Sequence, residues 1–202
     1  MLSVGYTRSF TTGRALTDHL YNKITTSLRG DPRVSYDMVE ELKEKHAYVS
    51  LDYKSELANF KDCRVKPKSF LVGKELEIEL THEFAELGEA LFNPHLLHED
   101  SVGLHEDLCR TAFKCDPSIR EDLFAHVVLA GATTRLPGLR ERLTAELNTT
   151  FLNYHNAERL KKRFKLMPSG DERWATWRGG SVVAMQQQFD TICVSKEGML
   201  FL

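Results

Sequence analysis

VVLAGATTRLPGLRERL, from Val127 to Leu143, decides how the chain is read. Its first residues form a short apolar run with β-branched side chains, suited to a central strand. The run stops at Gly131. A polar loop with Thr133 and Thr134 follows, then Pro137-Gly138, and LRERLTAEL resumes as a charged helical pattern. Turns from strand to helix often hold phosphate, because the first N–H groups of the helix are free. The stretch therefore asks for a mixed α/β fold and raises a nucleotide as candidate ligand.

Working outward, the same mixture recurs. Thr12-Gly13-Arg14 opens a segment with Leu16, Leu20, Ile24 and Leu28 four apart, an amphipathic helix ending near Gly30-Asp31-Pro32. Ser35 predicts an N-cap, with Met38, Val39 and Leu42 on one face of the next helix. AYVSLDY alternates, with Ala47, Val49, Leu51 and Tyr53 on one side, and reads as a strand. Lys54 to Lys68 is polar and shows no clear period. SFLVGKELEIEL predicts a hairpin with Gly73-Lys74 as a two-residue turn. Beyond it Leu76, Ile78 and Leu80 alternate with Glu75, Glu77 and Glu79, whose carboxylates suit a solvated sheet face.

LGEALFNPHLL carries an apolar helical turn broken at Pro94. LHEDLCRTAFKC reads as a helix with Leu104, Leu108 and Ala112 on a face. Asp116-Pro117 predicts an N-cap and first helical residue, opening a short helix that ends near Phe124. The stretch from Asn148 to Arg173 reads as the loosest of the chain. Its basic run, Lys161, Lys162, Arg163 and Lys165, suits a solvated helix end or loop, with a partner site as the sharper reading. From Trp174 onward a Gly-Gly pair precedes a short helix pattern.

Composition narrows the function. The chain has 202 residues, 42% of them hydrophobic, and a formal net charge of −2. That charge argues against nucleic acid or anionic membrane as a bulk electrostatic partner. No apolar stretch approaches the roughly 20 residues of a membrane-spanning helix, and MLSVGYTRSFTTGR lacks the order of a signal peptide. Cys63, Cys109, Cys115 and Cys193 have no CxxC spacing, so free and mostly buried thiols are expected. Asn148-Thr149-Thr150 fits the glycosylation sequon without a secretory context. His95 and His98 lie three apart with no third metal ligand in view.

Several blocks together carry a family resemblance. TGRALTDHL resembles the segment of actin and actin-related proteins that opens a helix after a Gly-Arg pair. LKEKHAYVSLDY is similar to that family's IKEK-x-x-YVALDF. EALFNP and then GLHEDLCRTAFKCDPSIREDLFAHVVLAGATTRLPG resemble one long block of it, and WATWRGGSVVA resembles its W-x-GGS-x-x-A. The blocks keep the family's order from about residue 5 to residue 197. They match only its second half.

The resemblance implies an α/β fold: an actin-like ATPase-domain (ribonuclease H-like) lobe, truncated, with an inserted α+β outer subdomain. The outer subdomain is expected at 12–99. The inner one is expected at 1–11 with 100–167, and residues 168–202 return partway into the other lobe. The family's lobes close on ATP and a divalent metal through two phosphate loops. Its D-x-G-x-G-x-T pattern is absent from these 202 residues, and the second loop falls in the unmatched half. Both ends read as abbreviated, as in a shortened isoform or degenerate relative.

What is carried over is the adenosine side. Gly13 and Arg14 match the Gly-Arg near the ribose, and Lys43 and Glu44 match the Lys-Glu beside the adenosine. Gly131 and Thr133 match the nucleotide-facing turn. Ala132 stands where the family has a second glycine, and a Cβ there crowds the approach. Arg135 and Leu136 replace a Met-Tyr pair near the base, Glu40 replaces an arginine, Arg173 a lysine and Arg178 an isoleucine. On these grounds a vestigial nucleotide site is expected, with no catalytic residue, no metal ligand and no cofactor; Mg-ATP binding is the alternative, with the other half supplied by a longer isoform or a partner. Val183, Gln186, Phe189 and Ile192 lie on the segment matching the family's partner groove. Phe92 to Leu97 resembles a filament contact or, equally, local packing. The expected role is a non-catalytic structural or interaction protein of cytoplasm and cytoskeleton. It would bind cytoskeletal or actin-binding proteins, without nucleic acid, membrane insertion or autonomous filaments.

Overall fold

The computed structural model describes residues 5–62, 64–72, 76–98, 100–154, 157–167 and 170–194. Helix α1, Gly13–Ser27, starts where Thr12 Oγ1 accepts the Ala15 N–H at 3.2 Å. It buries Leu16, Thr17, Leu20 and Ile24, the expected spacing on one face. Helix α2, Tyr36–His46, is capped by Ser35, whose hydroxyl accepts from the Met38 N–H at 3.3 Å, and buries Val39 and Leu42.

AYVSLDY is not a strand. Ala47, Val49 and Tyr53 are buried as the alternation requires, but Leu51 is 64% exposed and the segment joins no sheet. Val49 N–H donates to the Pro137 carbonyl at 2.8 Å. Proline has no N–H to return the second bond, so a ladder cannot grow there. Glycines hold the segment on both sides. A Cβ on Gly88 would lie 2.1 Å from the Tyr48 carbonyl oxygen, and one on Gly138 (φ +82°) 2.2 Å from that of Val49.

Helix α3, Tyr53–Lys61, occupies the polar stretch where no period was visible. Asp52 caps it by accepting from the Ser55 N–H at 3.1 Å. Only Tyr53 is fully buried in α3; Tyr53, Leu57 and Phe60 stand at i, i+4 and i+7 as a short stripe that is half-covered beyond Tyr53. Strands β1, Lys68–Val72, and β2, Leu76–Leu80, form the predicted antiparallel hairpin, with Ile78 and Leu80 buried. Val72 pairs with Leu76 at the open end of the described ladder. The expected turn at Gly73-Lys74 lies outside the described residues.

Helix α4, Glu83–Ala90, is followed by a 3-10 turn at Pro94–Leu97, as the proline demands. Helix α5, Leu104–Lys114, buries Cys109 and Ala112, while Leu104 and Leu108 are half-buried against the same core. Helix α6, Arg120–Ala125, begins later than Asp116-Pro117 suggested. Asp116 instead accepts from the Ser118 N–H at 2.8 Å and closes a local turn.

Strand β3 is only Val127–Val128 and pairs in parallel with β4, Leu166–Met167, in a two-stranded sheet. Among the described residues it has one neighbour and so is not central, and Val128 is 58% exposed. A 3-10 turn at Ala132–Arg135 leads to helix α7, Leu139–Thr150, which contains the Asn148 sequon. Helix α8, Ala157–Arg163, precedes β4.

The stretch from Asn148 on is better packed than its polarity suggested. Phe151 is fully buried, edge-on to Phe124 at 4.9 Å, and Tyr154 stacks on Phe113 at 4.0 Å. Leu160 is buried too, and in the basic run Arg163 approaches Glu121, which Arg159 holds at 2.7 Å. A few aromatic anchors at irregular spacing do this, which periodicity does not detect. Helix α9, Ala175–Ala184, contains the Gly179-Gly180 pair that was expected before it, and α10 spans Phe189–Ile192. Cys109 and Cys115 are buried free thiols and Cys193 an exposed one, while Cys63 lies outside the described residues.

One continuous apolar cluster runs from Leu16, Val39 and Leu87 to Leu143 and Phe151. Among the described residues no helix is long and apolar enough to cross a membrane. Arg142, on α7, binds this core from inside. It donates to Glu146 at 2.6 Å, to the Ser50 carbonyl at 2.7 Å and to Glu89 at 2.9 Å, and lies over the Phe92 ring at 5.0 Å. Arg142→Met should lower the unfolding free energy by about 2–4 kcal/mol in urea titration, because the mostly buried Glu89 and the half-buried Glu146 lose their partner. Arg142→Lys should recover little, since an ammonium cannot replace the fork.

Buried Glu86 on α4 receives His19 Nε2 at 2.9 Å and Lys23 Nζ at 2.6 Å from α1, with His82 Nε2 at 3.4 Å. Burial alone would raise its pKa, but the bonds from His19 and Lys23 outweigh that and hold it at about 2, below the ordinary 4.5. The carboxylate's contribution is therefore complete above pH 4.5 and lost as pH falls towards 2. In that window the chain should lose on the order of 3 kcal/mol of stability by acid titration. Glu86→Gln should flatten the loss.

Candidate functional site

The N-terminus of α1, the last turn of α2 and the loop after β3 enclose a cavity of about 420 Å³. Gly13 and Leu16 come from α1, and Glu41, Lys43 and Glu44 from α2. Ala132, Thr133, Arg135, Leu136 and Pro137 come from the loop, and Arg173 completes the lining together with Lys45 and Ala47. Sequence positions up to 160 residues apart thus converge, and six of the eight expected nucleotide residues line one space. Gly131 and Arg14 are outside the lining. Gly131 (φ +99°) uses its N–H on the Glu172 carbonyl at 2.8 Å, and Arg14 is exposed. Leu16, Glu41, Lys45, Ala47 and Pro137 were missed; the last turn of α2 beside Lys43-Glu44 was the available signal.

The side chains in this space have specific commitments. Lys43 is 11% exposed, and its ammonium donates to Thr17 Oγ1 at 2.7 Å and to the Gly13 carbonyl at 3.2 Å, with Glu40 Oε1 at 3.7 Å. It therefore ties α2 to the first turn of α1. Lys45 binds Glu41 at 2.7 Å, and that hydrogen bond lowers the pKa of Glu41. Glu44 is exposed. Arg173 lies over the Trp174 ring at 5.5 Å. Gly13 and Thr133 approach so closely that a Cβ on Gly13 would stand 2.6 Å from Thr133 Oγ1. Neighbouring Glu172 accepts from Arg140 and offers its carbonyl to Gly131, which anchors the segment bearing Arg173 to the loop.

Val183, Gln186, Phe189 and Ile192 do not line this cavity. They lie along α9, α10 and the residues between, where Trp177 is 71% and Met185 79% exposed. Arg178 is on the surface of α9, 3.6 Å from Asp171. Phe92 and Pro94 are buried and Leu96 and Leu97 half-buried against the core, so that loop packs locally. Among the described residues no group of three or more His, Cys, Asp or Glu converges as a metal-ligand set.

A family model described as Actin matches residues 2–198. Centractin of Schizosaccharomyces pombe is 29% identical over 188 residues, which cover 92% of this chain and 47% of that protein. The chain therefore spans about half the length of that relative.

Lys43→Met should lower stability by about 1–3 kcal/mol in urea unfolding, because two bonds from a charged donor are lost.

Proposed function

The chain belongs to the actin family, and on that premise we propose that it acts as an actin-like structural or interaction protein of the cytoskeleton, without nucleotide hydrolysis of its own. The observation that carries this reading is the state of Lys43. Its ammonium is used inside the fold, on Gly13 and Thr17, with Glu40 beside it. ATP with magnesium is the group the family implies, and the residues of the cavity do not fit a triphosphate. The lining sets Glu41 and Glu44 against four cations, Lys43, Lys45, Arg135 and Arg173; Lys43 is turned onto Thr17 and Gly13, Lys45 onto Glu41 and Arg173 over Trp174, and α2 contributes its C-terminal end, whose partial negative charge opposes phosphate. Ala132 adds a Cβ at the loop. In-line attack on a γ-phosphate needs a charge clamp and a positioned nucleophile, and these side chains supply neither.

The partners of such a protein are cytoskeletal or actin-binding proteins, and the setting is the cytoplasm. Val183, Gln186, Phe189 and Ile192 are the candidate contacts, on helices whose large apolar side chains stand in solvent.

An ATP-binding protein completed by a longer isoform or a partner is the second reading. It is favoured by one observation, the gathering of Gly13, Lys43, Glu44, Ala132, Thr133 and Arg173 around a single cavity. Calorimetric titration with Mg-ATP separates the two. The expected result is no binding tighter than about 100 μM, roughly −5.5 kcal/mol. Micromolar binding would overturn the non-catalytic reading.

A further inference from the structure

Between α3 and β1 the chain reads Arg64-Val65-Lys66-Pro67-Lys68-Ser69-Phe70. Every residue from Arg64 to Ser69 is exposed. Lys66 precedes a proline, which keeps its backbone extended. β1 begins at Lys68 and, among the described residues, has β2 as its one strand neighbour. Phe70 turns inward onto His46 at 4.9 Å and Phe84 at 5.0 Å. Ser69, the preceding strand residue, therefore faces water, opposite exposed Glu79. Arg64 pairs with Asp62 at 3.2 Å, but both side chains are mostly exposed and such a pair exchanges readily.

We infer that Ser69 is a phosphorylation site for a basophilic serine/threonine protein kinase, with Arg64 and Lys66 as the recognised cations. Arg64 stands five residues and Lys66 three residues before the hydroxyl, and Phe70 one after. Arg64 and Lys66 flank a bend at Val65 and both are exposed, so a kinase cleft lined by carboxylates can meet both cations. In the transfer, Ser69 Oγ bonds to the γ-phosphorus of ATP. The bond from that phosphorus to the β–γ bridging oxygen breaks and ADP leaves. The hydroxyl proton passes to the kinase's carboxylate base. Ser181 also has an arginine three residues before it, but it lies within α9 and its hydroxyl donates to the Arg178 carbonyl at 2.8 Å. A helical, internally bonded serine does not present the extended segment a kinase cleft takes.

The modification has a structural consequence. A phosphate adds about −1.5 to −2 charge directly across the hairpin from Glu79, with Glu77 two positions along β2. Like charges facing across strands destabilise the pair. The hairpin carries Phe70 onto α2 and α4, so the phosphate loosens that cover.

The test incubates the full chain with ATP and the catalytic domain of a basophilic kinase and locates the phosphate by mass spectrometry. Phosphate on Ser69 is expected, reduced at least about tenfold in the Arg64→Ala/Lys66→Ala double variant. Ser69→Glu should lower Tm by about 2–4 °C and Ser69→Ala by less than about 1 °C. The site assignment is overturned if phosphate appears on Ser181 alone, or nowhere while a control peptide is modified. Phosphorylation of Ser69 unaffected by the double variant overturns the role of the two cations. An unchanged Tm in Ser69→Glu overturns the loosening of the hairpin.

Discussion

The backbone from Tyr48 to Ser50 is the axis on which the packing is built. It runs between Gly88 on α4 and Gly138 before α7, at distances that leave no room for a side-chain carbon on either glycine. Two of its polar groups find partners in that confined space. Val49 donates to Pro137, and Ser50 accepts from Arg142. Each bond satisfies a group that would be costly to bury alone. Because Arg142 also holds Glu89 and Glu146, one guanidinium fixes the distance between α4 and α7 while their glycines set how near the chain may pass. Arginine suits the position because its planar fork serves several acceptors at once.

That arrangement explains which parts of the chain could be read in advance. α1 and α2 have a cap at the start and a buried stripe along one face, so spacing alone located them. AYVSLDY has the burial pattern of a strand without the pairing of one. Alternation reports which side chains are covered, and says nothing about whether a neighbour can return a hydrogen bond. α3 is the opposite case: the helix is real, but its stripe of Tyr53, Leu57 and Phe60 is short and only half-covered beyond Tyr53. The residues around Phe151 and Tyr154 were hidden because aromatic rings at uneven spacing anchor a segment as firmly as a regular stripe does.

The cavity shows the same division. Its membership was legible, since short motifs in the right order brought Gly13, Lys43, Thr133 and Arg173 to one place. The use of those residues was not. Whether a lysine faces a ligand or its own backbone depends on which acceptors the fold brings within reach. Here α1 offers Thr17 and the Gly13 carbonyl. Gly131 is similar: its unusual φ is a turn requirement, and its N–H is spent on Glu172.

α9 ends the packed region differently. Its two glycines meet nothing that a side chain would disturb, and its Trp177 stands in water. Glycine weakens a helix by roughly 1 kcal/mol relative to alanine, and no burial offsets that here. Hydrogen exchange across the chain should therefore fall into two tiers. Amides of α9 open by local fraying, at little free-energy cost, while those of α1, α4 and α7 wait for the core to come apart. A single melting curve would average two cooperative units of unequal depth.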